Sequence, residues 1–308
     1  MKKTALALAL MAGLSANAYA GIDFTLNYTA ANTAEGYTPP NLVVGSFNNF
    51  NSALSNVTDE MKFTADSLLV FDSGTPFTTG AVFHDYIAVR IDQLFNNSSA
   101  NNDVYNLASD RQITAVIVTS GQFISNQNAV INGLQQFNIY YDAGPSSFGG
   151  SGGSITLAAL TDAGLTNFDD GTLVETGTLL AGSGGVTGVT VPDGAVDLNV
   201  LLTNVLQGGL FELDGQGLAF TKLVAALTNG NNTLCTDDGG TQACLTTEAG
   251  VANYFQSIGY SAAVTGATSF HTRTDGSLEK ITIPEPTTVA LMGLGLLGLG
   301  FSARRRNS

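Results

Sequence analysis

"EMKFTADSLLVF", Glu60 to Phe71, and "AVFHDYIAVRI", Ala81 to Ile91, decide how this chain folds. In the first, Met61, Phe63, Ala65, Leu69 and Phe71 occupy alternate positions and share one face of an extended strand. In the second, Phe83, Ile87, Val89 and Ile91 do the same, with Asp85 as the exception. A period of two describes a strand with one buried face, and no helix can satisfy it.

The same signal continues outward. "ITAVIVTSGQFI", "LQQFNIYYD", "SITLAAL" and "VDLNVLLTNVL" read as further strands, bounded by Gly, Asn, Asp and Pro clusters. Long amphipathic helical periods are scarce, and "SFNNFNSALSNV" is the one place where a short helix is expected. Many strands at short spacing predict an all-β, β-sandwich-like single domain. "FGGSGGS", Phe148 to Ser154, reads as a hinge or long hairpin loop. "QQFNIYYDAG" before it and "GSITLAAL" after it look like hairpin partners, which favours one domain over two.

Both ends of the chain read differently. Lys2 and Lys3 precede an apolar run from Thr4 to Leu14, and Ala18-Tyr19-Ala20 is an A-x-A cleavage site. This is the pattern of a secretory signal peptide, so residues 1–20 are expected to be removed by signal peptidase after export by the general secretion machinery, leaving Gly21 first. At the other end stands "IPEPTTVALMGLGLLGLGFSARRRNS". Pro284 and Pro286 flank Glu285 and keep this segment extended. Residues 287–303 carry no charge. As a helix they would span roughly 25 Å, the lower edge of what crosses a bilayer. Arg304, Arg305 and Arg306 follow at once, and such a cluster stays cytoplasmic. The glycines of "GLGLLG" fit a dinucleotide-binding spacing, but the chain ends before the acidic residue that this motif requires.

This tripartite ending closely resembles the PEP-CTERM sorting signal of exopolysaccharide-producing Gram-negative bacteria. In that family an exosortase, an integral-membrane cysteine protease, recognises the signal. The resemblance implies an inner-membrane precursor whose tail is removed, with transfer to the cell surface or extracellular matrix. Pro284, Glu285 and Pro286 would be the recognition motif, and Arg304 to Arg306 the retention charge. The expected organisation is thus a signal peptide at 1–20, an all-β exported domain at 21–282 and a sorting signal at 283–308. A weaker resemblance, to flocculation-associated PEP-CTERM proteins, rests on Asn27-Tyr28-Thr29, Tyr140 to Gly144, Leu201 to Phe211 and the late cysteine pair. It implies a part in cell aggregation within an exopolysaccharide matrix, and no catalytic residues.

Charge narrows the function further. The chain has 11 basic and 25 acidic residues. Setting aside Lys2, Lys3, Glu285 and the three terminal arginines leaves six basic against twenty-four acidic, a net charge of −18. Such a surface repels nucleic acid and anionic polysaccharide and attracts divalent cations.

Chemistry-bearing residues are few. Cys235 and Cys244, in "CTDDGGTQAC", are the two cysteines. Export places them in an oxidising compartment, so a local disulfide is expected. Closing so short a loop is worth roughly 2.5–3 kcal/mol. Zinc would need more ligands, and His84 and His271 are the two histidines. A Ser/His/Asp triad would have to use one of them, and no G-x-S-x-G elbow is present. The chain has no tryptophan, which weighs against a sugar-cleaving cleft built on stacked aromatics. "NFDDGTL", "ELDGQG" and "CTDDGGT" pair aspartates with glycine, as calcium loops do. None has the EF-hand spacing, and Asp-Gly is equally a hairpin turn. The expectation is a non-enzymatic protein without a cofactor, calcium being the ion those loops would take. The alternative is a secreted carbohydrate-active enzyme, or a calcium- or sugar-binding module, that uses the tail only for sorting.

Overall fold

Glu60–Ser73 and Val82–Asn96 form two long antiparallel strands in the computed structural model of the chain. The structure describes residues 24–26, 57–58, 60–96, 99–100, 112–142, 168–169, 171–187, 193–204, 211–212, 223–235, 244–264 and 268–282. The chain divides into two units, Ile22–Lys280 and a second made of Met1–Gly21 with Ile281–Ser308. The described elements belong almost wholly to the first. The expected signal peptide, sorting helix, "SFNNFNSALSNV" helix, "FGGSGGS" loop and "SITLAAL" strand lie outside the described residues.

In chain order the strands are β1 (Phe24–Leu26), β2 (Val57–Thr58), β3 (Glu60–Ser73), β4 (Val82–Asn96), β5 (Ser99–Ala100), β6 (Gln112–Phe123), β7 (Asn128–Asp142), β8 (Thr172–Thr187), β9 (Asp193–Asn204), β10 (Phe211–Glu212), β11 (Leu223–Leu234) and β12 (Ser269–Thr282). One helix among the described residues, α1 (Glu248–Ser257), precedes β12. β10, β1 and β2 form a small separate sheet.

The main sheet has nine strands, in the order β3-β12-β11-β9-β8-β7-β6-β4-β5. β3 also pairs with β4, so both of its sides are occupied. With the two-residue β5 set aside, the remaining eight strands form a closed antiparallel ring in which nearly every strand pairs with its sequence neighbour. The all-β class therefore holds. The two layers of a sandwich are here the opposite sides of one sheet that closes on itself. Closure removes the free edges at which a sheet would pair with another chain.

Alternation decides what lies within. Met61, Phe63, Ala65 and Phe71 of β3 pack with Phe83, Ile87, Val89 and Ile91 of β4. Ile113, Ala115 and Ile117 of β6, Phe137, Ile139 and Tyr141 of β7, and Leu198, Val200 and Leu202 of β9 belong to the same buried cluster. An eight-stranded barrel has an interior about wide enough for side chains to fill. At one place Phe71, Phe77, Phe83, Phe123 and Phe270 meet edge to face or tilted, with ring centroids between 4.7 and 6.2 Å apart. Gly121 makes room for this packing: a Cβ there would lie 2.5 Å from Phe83 Cζ and from Val130 O.

The other face of β3, β4 and β6 is also covered. Leu68, Val70, Tyr86, Ala88, Val116 and Val118 pack with Val251, Ala252, Tyr254 and Phe255 of α1. α1 is short and its ends are firmly marked. Thr247 is its N-cap and accepts the Gly250 N–H at 3.1 Å. Gly259 follows the C-cap Ile258 with φ +99°, where glycine alone is unstrained. The Gly259 N–H donates to Gln256 O at 3.1 Å and the Tyr260 N–H to Phe255 O at 2.9 Å, which closes the helix end. The rings of Phe255 and Tyr260 pack across that closure.

Candidate functional site

The outer face of β3 and β12 carries a buried polar cluster. Asp66 comes from β3 and His271 from β12, and both side chains have no exposure to solvent. Ladder register places His271 opposite Leu68 and Arg273 opposite Asp66, so Asp66 and His271 are diagonal neighbours on one face. His271 Nε2 lies 3.5 Å from Asp66 Oδ2. The segment after residue 243 seals the face. Leu245 and Thr246 donate their backbone N–H groups to Asp66 Oδ2 at 2.7 and 2.9 Å. Asp66 Oδ1 is buried and accepts no hydrogen bond. Cys235, just beyond β11, donates its N–H to His271 O at 2.9 Å.

Cys235 and Cys244 are joined by a disulfide, with Cα atoms 5.6 Å apart. It lies against the Asp66–His271 pair. One ligating atom from each of Asp66, Cys235, Cys244 and His271 can be chosen so that all lie within 4.8 Å of one another, and all four residues are buried. β3 and β12 thus bring a carboxylate and an imidazole to the cysteine pair.

A second buried acid lies on the interior side. Asp85 shares its face of β4 with Phe83 and Ile87, and Leu69 of β3 and Thr119 of β6 stand opposite it. Burial pushes its carboxyl up from 3.8 to about 6, and a hydrogen bond from Ser67 pulls partly the other way. Asp85 Oδ1 and Thr119 Oγ1 are buried without hydrogen-bond partners. Ser67 is in turn linked to Thr272, with their hydroxyl oxygens 2.7 Å apart.

The other histidine stands in a wetter place. His84 Nδ1 is 2.6 Å from Asp72 Oδ2 in a partly exposed pair, and its ring stacks beside Tyr86. The structure therefore gives each histidine a carboxylate neighbour. Asp66 and Asp72 are residues that sequence reasoning passed over. Asp66 sits at a polar position of an alternating strand and reads as solvent-facing. Nothing local in the sequence shows that the segment 244–246 will cover it.

The residues expected to direct processing, Ala18, Ala20, Gly21, Pro284, Glu285, Pro286, Arg304, Arg305 and Arg306, lie outside the described residues. So do most positions of the three Asp-Gly loops, of which Phe168 is buried and Asp169 half-buried. Among the described residues no helix is long and apolar enough to cross a membrane. No curated protein and no solved structure matches the chain. The family model of the PEP-CTERM protein-sorting motif matches residues 282–306, so the chain carries the sorting signal of PEP-CTERM proteins at its C-terminal end.

Proposed function

We propose that this chain is a non-enzymatic protein of the cell surface or extracellular matrix that acts in adhesion or flocculation within an exopolysaccharide-associated biofilm. The observation that carries this reading is the sorting motif at residues 282–306, which implies an exported, membrane-anchored precursor with an exosortase as its processing partner. Two physical features agree with a life outside the cell. The main sheet closes on itself and leaves no long edge for aggregation. The exported part is strongly acidic, which keeps it soluble and turns away nucleic acid. That charge also sets the partner's chemistry. A matrix polysaccharide that binds directly would be neutral or cationic, and an anionic one would need bridging divalent cations.

The test is deletion of the gene in its host. Floc and biofilm formation should fall while total polysaccharide output stays level. Unchanged aggregation would overturn the adhesive role. Altered polysaccharide chain length with normal aggregation would point instead to a carbohydrate-active enzyme.

A further inference from the structure

We infer that Asp66, Cys235, Cys244 and His271 form a latent zinc site, closed by the disulfide and opened by its reduction. The inference starts from a mismatch. A disulfide that merely staples a loop needs neither a buried acid nor a buried histidine beside it. Burying a carboxylate costs several kcal/mol unless its oxygens are satisfied. Asp66 is fully buried, and the two backbone N–H donors reach only Oδ2. Oδ1 accepts no hydrogen bond. A cation bound at Oδ1 would remove the deficit.

The donor set fits zinc. Two thiolates, an imidazole and a carboxylate are ligands that zinc takes in tetrahedral sites. Ligand atoms in such a site stand about 3.3 to 3.8 Å apart, from the usual zinc–ligand lengths. His271 Nε2 already lies beside the Asp66 carboxylate, 3.5 Å from Oδ2, with Oδ1 still unused. The four ligating atoms lie within 4.8 Å of one another, and after reduction the two sulfurs need only separate to about 3.8 Å to match this spacing.

The frame does not depend on the sulfur–sulfur bond. Cys235 is tied to β12 by its N–H to His271 O. Cys244 directly precedes the Leu245 and Thr246 N–H groups that hold Asp66. These bonds also orient the carboxylate and the strand that carries the imidazole, as outer contacts do in zinc sites. Reduction by a dithiol transfers two electrons and two protons to the bridge, giving two thiols and the cyclic disulfide of the reductant. Zinc then displaces both thiol protons, and His271 coordinates as the neutral ring through Nε2.

The experiment uses the full-length chain exported to the periplasm and purified as the processed, oxidised protein. After metal is stripped, one half is reduced with a phosphine. Both halves are titrated with Co²⁺ and then Zn²⁺, with far-ultraviolet circular dichroism recorded throughout. The reduced protein should bind one Co²⁺ per chain, with the intense visible bands of tetrahedral cobalt and a thiolate charge-transfer band. Zn²⁺ should bleach both, and the oxidised protein should show neither. His271→Ala and, with its shape kept, Asp66→Asn should each weaken Zn²⁺ binding at least about tenfold. If reduction alone loosens the fold, Zn²⁺ should restore the β-sheet spectrum. Three results would overturn the site: a reduced, folded protein that gives no tetrahedral spectrum, a loosened one that Zn²⁺ does not restore, or binding that both variants leave unchanged.

Discussion

Asp85 carries its charge in the wrong place for a strand interior. Its carboxyl is raised from 3.8 to about 6, and burial is the leading cause. A raised folded-state value means that the protonated form is favoured by the fold. The stabilising share is complete below 3.8 and is lost as the pH rises through about 6. Ionising Asp85 at neutral pH should therefore cost the fold on the order of 2–3 kcal/mol. Asp85→Asn should stabilise the protein by that order at pH 8 and change little at pH 3.5. Urea unfolding of both proteins at the two pH values measures the difference. Equal stability gains at both would show that the hydroxyl neighbours, not the charge, decide. At this scale the sequence was partly legible. Asp85 stood out because it broke an apolar run. Asp66 did not, because a polar residue between Ala65 and Ser67 is normal on an outward face. Its burial depends on residues about 180 positions away, which no local pattern can announce.

Elements were legible in proportion to their periodicity. β3, β4, β6, β7 and β9 contain the runs whose alternation marks them as strands. β7 pairs with β8 across the Gly-rich stretch, while "SITLAAL" lies outside the described residues. "LVAALTNGNNTL" of β11 was missed because its small and amide side chains give no clear alternation. α1 was missed because ten residues hold fewer than three turns, and its signals are at its ends. Thr247 before Glu248 and Gly259 after Ile258 are those signals, and they carry testable energies. Thr247→Ala removes the cap on Gly250 N–H and should destabilise by about 1 kcal/mol. Gly121→Ala forces a methyl against Phe83 and the Val130 carbonyl, and should cost about 1–3 kcal/mol. Denaturant midpoints with unchanged slopes would check both. A neutral Gly121→Ala would mean that the aromatic cluster yields more easily than a packed interior should.

At the scale of the whole molecule, the all-β class followed from pattern, but the number of strands and their closure did not. Whether strands make two stacked sheets or one ring depends on β3 finding β12, a pairing between the ends of the domain. Long-range register of that kind leaves no mark in either segment alone. The sorting signal is the opposite case. It is local, its three parts follow one another along the chain, and Pro284 to Arg306 could be read directly. Its basic end has its own expected outcome. Charge is expensive to draw through lipid, at several kcal/mol per group. Replacing Arg304, Arg305 and Arg306 together by Asn should let the tail slip or the protein mislocalise, as membrane fractionation would reveal. Unaltered surface yield would show those charges to be dispensable.

The central claim is that the C-terminal segment addresses the protein and the β domain folds without it. Glu285 is the one fixed negative charge of the motif, between Pro284 and Pro286, so Glu285→Ala should remove recognition and leave the ladder of β12 intact. The measurement is cell fractionation of wild type and variant, with mass spectrometry of the C-terminus of the protein in each fraction. The account predicts a shortened wild-type protein at the surface, and a folded variant held in the inner membrane with Arg304 to Ser308 still attached. Release of the same shortened protein by both, or a wild-type surface protein that keeps those residues, would contradict it.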